Sequence, residues 1–457
     1  MRARSALALA LAVIVPHVAR GEVPSLPPTA TGTVDEERVA ASPNATGQHL
    51  GQDEVVRRAL EQNGVLRGVR ARRDSAAAQA RSARGRLLPS VSLSDELQRW
   101  NSAFTVPFAV GPGAAIPVGV RDETTNTFTA AAGQPILGLL HIGSDVAALN
   151  SATRGAEADV KTSEAAVKEL ALSRLLQLFE ARALGDIARA SVEQLSEQLK
   201  MAQARLEVGV VTRADVLRLE TAVANARQQA IQAVAQEESG RAVLLVTIGE
   251  PPDERGIVFD EPALPEPTTA PALGAAVASA LSRRPELESA RLAEQAARRS
   301  ARARLFDLMP EVNAEAAYLH VSGQAFSPKD SGFVGLKTDW PLWEWGTRWY
   351  ARSAAAAQAD AAAAQQVDAH DRVSAEVASD LAATRASAHA VLVARTAIAS
   401  ADEAYRVTQA LVEAGSATTT DLLDAQAALT TARSNLARAR YDYALTRINL
   451  ARAMGEL

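Results

Sequence analysis

The chain has 457 residues, 47% of them hydrophobic but only 4% aromatic, a formal net charge of −5 and no cysteine. The lack of cysteine excludes disulfides, thiolate metal sites, a cysteine nucleophile and a lipidated N-terminal cysteine. Mild acidity gives no electrostatic case for binding nucleic acid.

Residues 1–21 read as a secretory signal peptide. Arg2 and Arg4 supply the positive start, and Ser5 to Val15 is an apolar run too short to span a bilayer. No later run is apolar and charge-free enough for a transmembrane helix, so any membrane span must be made of strands. Residues 22–50 are rich in Pro, Thr, Ser and Gly and read as a flexible N-terminal arm, with Asn44-Ala45-Thr46 as a weak glycosylation match.

Residues 51–250 and 272–457 read as two internal repeats. Gln203–Glu250 aligns without a gap on Gln409–Glu456, placing Gly209 on Gly415, Thr212 on Thr418 and Asp215 on Asp421. Each copy predicts helix, strand, loop, strand, long helix, tip, helix. Pro89 and Pro310 end the first helices. Val91-x-Leu93, Thr124–Gln134, Val312–Val321 and Phe333–Trp340 alternate as strands, near the roughly 9–11 residues a tilted transmembrane strand needs. The first copy holds about 15 extra residues between Val91 and Gln134, rich in Pro and Gly. They are expected to form an extracellular loop.

No proline interrupts Gly143–Val208 or Gly346–Ala414. A helix of that size is roughly 100 Å long. Apolar residues step by 3 and 4 on either side of each glycine, as in Val216, Leu219, Val223, Ala226 and Ala230. Such spacing gives one coiled-coil seam per helix. Glycine suits the left-handed residue ending the incoming helix, and Thr212-x-x-Asp215 and Thr418-x-x-Asp421 read as capping boxes opening the outgoing one. Residues 251–271, with Pro251, Pro252, Pro262, Pro265, Pro267 and Pro271, read as a stiff linker between the repeats.

Trp340, Trp343, Trp345 and Trp349 lie in one decapeptide, with Tyr350 adjacent. They read as an aromatic belt at a membrane–water interface, the alternative being a local core beneath the helix start. One chain supplies four strands, which in lipid would leave two open edges with unpaired backbone groups. Strands must therefore be pooled between chains; three chains give twelve strands with a lumen and twelve helices to continue the tube.

The repeat, the Leu88-Pro89 and Met309-Pro310 strand entries, the Gly-x-x-Thr-x-x-Asp tips and the closing Leu450-Ala451-Arg452-Ala453-Met454-Gly455 resemble the TolC-like outer-membrane efflux protein family. The resemblance covers about Leu50 to Leu457. It implies a mainly α fold with a small β part: a trimeric 12-strand transmembrane β-barrel continued by a long periplasmic α-helical, coiled-coil barrel. As partners it implies two further copies of the chain, a periplasmic adaptor, an inner-membrane pump and outer-membrane lipid, with no nucleic acid, no cofactor and no enzymatic activity. It assigns Asp421 and Asp424 to a pore gate, where rings of carboxylates would favour cations and titrate with raised pKa values. Asp421 also fills a capping position, whereas Arg218 replaces Asp424 in the first copy. Val412 and Ala417 stand where a tip tyrosine and arginine would tie the tip shut. Gly209, Val210, Thr212, Asp215, Gly415, Ser416 and Thr418 are the expected adaptor-docking tips. His49, His141, His320, His370 and His389 show no ligand spacing. Two other readings stay open: a duct for type I protein secretion, and a soluble periplasmic coiled-coil structural protein.

Overall fold

The computed structural model describes residues 47–111 and 113–457. The signal peptide, the Asn44-Ala45-Thr46 sequon, most of the N-terminal arm and Pro112 lie outside the described residues.

The elements run β1 (Gln48–Leu50), α1 (Gln52–Gln62), α2 (Gly64–Gly85), β2 (Ser90–Arg99), β3 (Phe104–Gly111), β4 (Ala114–Pro135), α3 (Gly138–Glu207) and α4 (Arg213–Thr247). After β5 (Ile257–Phe259) follow α5 (Leu273–Arg283), α6 (Pro285–Phe306), β6 (Glu311–Gln324), β7 (Asp330–Asp339), α7 (Thr347–Glu413) and α8 (Thr419–Ala453). The same succession therefore runs twice, with paired lengths: 11 residues in α1 and α5, 22 in α2 and α6, 35 in α4 and α8. Local chemistry sets the joints. The Asn63 side chain accepts from the N–H groups of Val65 and Leu66 at 2.9 and 3.1 Å to start α2, and Pro285 sits at the first position of α6. The unbroken α3 has 70 residues and α7 has 67, so each is roughly 100 Å long.

The sheet order is β2-β4-β6-β7, with β3 also paired to β4; all pairs are antiparallel. Ser90 lies opposite Gly133, Pro135 opposite Asn313 and Glu311 opposite Asp339. All four helix junctions therefore share one end of the sheet, and both hairpin turns share the other. The extra residues of the first repeat are not an irregular loop. β2 and β3 form one broken strand, interrupted at Trp100–Ala103, that pairs along the 22-residue β4. Pro107 and Pro117, which look like strand breakers, face each other across this ribbon.

The largest core lies where mid-α3 meets the ends of α4 and α8. Leu175, Leu178 and Phe179 pack there with Leu244, Leu245, Ile248 and Ala444. Leu50 of β1 and Ile257 and Phe259 of β5 complete it, because β1 and β5 pair in parallel. The last residues of the arm, read as flexible, form a strand. The proline-rich linker packs onto α8. The Tyr443 hydroxyl accepts from the Thr268 N–H at 3.0 Å, and the Tyr441 hydroxyl donates to Glu261 at 3.2 Å. Burial, then the Glu261 carboxylate, pushes the Tyr441 phenol up to about 12.

Near this core Arg284 is buried. Its guanidinium donates to Glu376 at 2.5 Å and to both carboxylate oxygens of Glu286 at 2.9 and 3.2 Å. Arg452 pairs with Glu169 at 3.1 Å and with Glu376 at 3.5 Å, so one ionic network joins α3, α6, α7 and α8.

Candidate functional site

At each tip the helix ends on a left-handed glycine, Gly209 with φ 74° and Gly415 with φ 75°. Val210 N–H returns to the Arg205 carbonyl at 2.9 Å and Ser416 N–H to the Leu411 carbonyl at 2.8 Å, closing the last turns. The outgoing helices open on full capping boxes. Asp215 N–H donates to Thr212 Oγ1 at 3.3 Å while Thr212 N–H donates to Asp215 Oδ2 at 3.1 Å. The second tip matches, at 3.2 and 2.9 Å for Thr418 and Asp421. These bonds hold both carboxyls below their ordinary value: the Thr212 hydroxyl and then its N–H at Asp215, the Thr418 N–H and then its hydroxyl at Asp421. Within one protomer Asp421 is thus pulled in the direction opposite to that expected of a crowded ring.

Gly209, Val210, Thr212, Gly415, Ser416 and Thr418 are exposed, and Asp215 is half-buried. Asp421 and Asp424 are both exposed, one turn apart on α8. Between them, Leu423 packs into the first hairpin, on Leu195, Val223 and Ala226 and on Ala202, Val216 and Leu219. The two hairpins are further joined by polar contacts. Arg218 Nη1 donates to Thr420 Oγ1 at 3.1 Å, Gln198 Nε2 to the Tyr405 hydroxyl at 2.9 Å and Gln426 Nε2 to Gln194 Oε1 at 2.6 Å. Sequence reasoning missed these ties. Tyr405 sits in the apolar seam, and its one signal was being a tyrosine among alanines.

The strand layer has two unlike faces. On one, the rows Val91–Ala132–Ala316–Val334 and Leu93–Ala130–Tyr318–Gly332 run across the sheet. Val91, Leu93, Val334 and Leu336 on that face are 70–87% exposed. The alternate rows carry Ser90, Ser92, Ser94, Glu96, Thr127, Thr129, Glu315, Asn313 and Lys337. The alternation is broken by Asp95 and Asp330 on the first face and by Leu319 and Phe333 on the second, and otherwise suits a membrane barrel with an apolar outer face and a wet lumen. The unpaired sides of β2 and β7 are the open edges, ten residues each. Trp340, Trp343 and Trp345 lie between β7 and α7 and Trp349 in the first turn of α7, at the helix end of the sheet, and all are 57–84% exposed. Among the described residues, no buried apolar cluster includes any of these tryptophans. Trp343 and Trp345 stack edge to face at 5.7 Å, and Trp345 takes a φ of 52°, turning the chain sharply before Gly346.

Among the described residues no helix is long and apolar enough to cross a membrane, and no three His, Cys, Asp or Glu side chains are placed to hold a metal ion. His141 is a structural tie: it lies 3.0 Å from Asp145 and 2.5 Å from Asp307, joining the start of α3 to the end of α6.

A family model described as outer membrane efflux protein matches residues 55–250 and 276–456, once over each succession of elements. The chain is 24% identical over 339 residues to outer membrane efflux protein BepC of Brucella suis biovar 1, covering 73% of each. Its fold superposes on the outer-membrane channel OprN with a TM-score of 0.77 at 19% identity, over 89% of this chain and 90% of that one. The Campylobacter jejuni CmeC outer membrane channel gives 0.77 at 16% identity, over 89% and 85%. The chain belongs to the outer membrane efflux protein family. It is an efflux duct of the outer membrane, with its large helical part in the periplasm. That location removes the soluble coiled-coil reading.

Proposed function

We propose that the duct is a passive homotrimer serving a tripartite efflux system. Three chains pool their strands into a 12-strand barrel, and their long helices continue it as a periplasmic tube. The observation that carries this reading is the sheet's pair of open edges flanking an apolar face. In lipid each unpaired backbone group costs several kcal/mol, and only pairing β7 of one copy with β2 of the next removes both edges without a foreign partner. The four exposed indoles at the helix end support an interfacial belt on the periplasmic side. Residues 51–250 and 272–457 act as tandem repeats bridged by the linker at 251–271. The exposed tips support docking of a periplasmic adaptor, which links the duct to an inner-membrane pump that supplies the energy and selects the cargo.

Asp421 and Asp424 form the gate in this reading, as two rings of three carboxylates at the narrow periplasmic end. Arg218 with Thr420, and Gln198 with Tyr405, hold the hairpins together where Val412 and Ala417 offer no tie. Planar-bilayer recording tests the proposal. The wild type is expected to form cation-selective pores blocked by divalent cations added on the periplasmic side. Asp424→Ala is expected to weaken both selectivity and block several-fold, with folding unchanged, because Asp424 caps nothing. Unchanged selectivity and block in Asp424→Ala would place the carboxylates outside the lumen.

A further inference from the structure

Next to the sheet the helices form a row in the same order as the strands. α2 packs on α3, α3 on α6 and α6 on α7, while the sheet runs β2-β4-β6-β7. The first succession of elements is therefore joined to the second by β4 with β6 and α3 with α6. Both rows stop at the same places: α2 leads into β2 at one end, and β7 into α7 at the other. Because the two successions match residue for residue, this inner junction is a template for an outer one, between copies. Pro89 and Pro310 stand before β2 and β6, Pro135 and Pro341 after β4 and β7. α2 and α6 both span 22 residues, and α3 and α7 end on matching glutamates, Glu207 and Glu413.

In the inner junction Ala131 lies opposite Ala317 and Ala130 opposite Tyr318. The matching outer pairs are Lys337 with Glu96 and Leu336 with Leu97. The faces agree, since Leu336 and Leu97 both stand on the apolar face, Lys337 and Glu96 both on the polar one. A slip of one residue would set every apolar side chain opposite the wrong face. Lys337 already pairs with Asp339 at 3.1 Å and has further N–H groups to donate. Glu96 accepts from Gln98 and, among the described residues, meets no cation.

The helices give a second, separate match. Within the chain Ser289 Oγ donates to Asp159 Oδ1 at 2.5 Å, and a Cβ on Gly155 would stand 3.7 Å from that of Leu292. Arg291 first, then Arg154 and Lys161 of α3, hold the Glu288 carboxyl of α6 below its ordinary value. On α2 the counterparts of Ser289 and Leu292 are Gly68 and Ala71; on α7 those of Gly155 and Asp159 are Ala361 and Gln365. All four are exposed in the single chain. Arg67 stands for Glu288, Asp360 for Arg154 and Val367 for Lys161. The ion pair thus recurs with its sign reversed. Arg67 and Asp360 are both exposed and, among the described residues, pair with nothing in their own chain.

We propose that the junction between copies repeats the junction within one: β7 pairs with β2 of the next copy in the register that sets Lys337 opposite Glu96, and α7 packs on that copy's α2 with Asp360 against Arg67. The proposal rests on the homotrimer reading and adds to it the register and the ion pairs of the seam. The reversed sign also keeps the two junctions from exchanging. α2 set against an α3 would bring Arg67 to Arg154 and Lys161, and α6 in the place of α2 would bring Glu288 to Asp360. Both mismatches repel.

The absence of cysteine makes the register testable. Leu336 and Leu97 lie on opposite edges of one sheet, at least three strand spacings or about 14 Å apart. A disulfide between Leu336→Cys and Leu97→Cys can therefore form only between copies. Mild oxidation of full-length protein in outer membranes, read on a denaturing gel without reductant, is expected to give covalent trimer. Leu336→Cys with Asp95→Cys keeps the same face but slips the register, and is expected to give at least fivefold less. Equal or greater linkage from the slipped pair overturns the register. The helical pair is read on unheated gels, as trimer that survives dilution in mild detergent. Asp360→Arg and Arg67→Asp each act at three seams, and each is expected to lower surviving trimer at least threefold. The variant carrying both is expected to recover to within twofold of wild type. Single variants that keep wild-type trimer, or a double variant no better than the singles, overturn the helical pairing and leave the trimer standing. Absence of trimer from the wild type overturns the homotrimer reading and the seam with it.

Discussion

At the scale of single residues, the tips couple backbone capping to charge. Asp215 and Asp421 each accept hydrogen bonds from the threonine three residues earlier, which lowers their carboxyl pKa below the ordinary 3.8. A depressed folded-state value means that the capping contribution is complete above about pH 4 and is lost as pH falls through the folded value. A spin label at Val210→Cys, in the otherwise cysteine-free chain, is therefore expected to keep constant mobility from neutral pH to about pH 4 and to loosen below it. Mobility that rises on going from pH 4 to 7 would have the wrong sign. These residues were legible in the sequence because capping is local: Thr and Asp at a three-residue spacing after a glycine have few other uses. The Arg218–Thr420 and Gln198–Tyr405 contacts were not, since each joins residues about 200 positions apart with no pattern between them.

At the scale of elements, two devices carry the fold. The first is the network around Arg284. Its side chain is 4% exposed, while Glu286 and Glu376 keep 30% and 35%. Burial lowers the guanidinium pKa, but the two carboxylates outweigh it and raise it overall. Arg284→Met leaves Glu286 without its partner and Glu376 beside Asp380, whose own pKa is already raised by burial and then by Glu376. The expected loss is about 2–3 kcal/mol, near the low end for breaking a buried pair because water screens the glutamates. Urea unfolding checks it, and a loss below about 0.5 kcal/mol would make the network ornamental.

The second device is the two-faced sheet. Ala130 lies on the apolar row with Leu93 and Tyr318, while Thr129 lies on the polar row with Ser94. Ala130→Arg is expected to cost about 2–4 kcal/mol or abolish insertion, and Thr129→Arg to be tolerated and to alter conductance. Equal tolerance of both would deny a lipid-facing side. Long helices, tips and strand pairs were readable from periodicity and proline placement. The extended ribbon was not, because Pro107 and Pro117 look like breakers until their pairing shows that the missing N–H groups fall on free edges. The β1–β5 pairing was hidden for a different reason. Three residues on each side are too few for a pattern, and their partners are more than 200 positions away.

At the scale of the whole molecule, a single chain is an unfinished object. Its sheet is open at β2 and β7, its strand faces are exposed on both sides, and the incoming seam of the second hairpin, Ile398, Ala401, Tyr405 and Val412, is only half-buried. Each of these surfaces is matched in the proposed assembly by a copy of the same chain, by lipid or by the water of the lumen. Copy number is therefore the quantity on which barrel and gate both depend. Native mass measurement of the protein extracted from outer membranes in mild detergent reads it directly. Three copies of the mature chain, stable on dilution, are expected; a monomer, or a closed assembly of two, would contradict the duct as described.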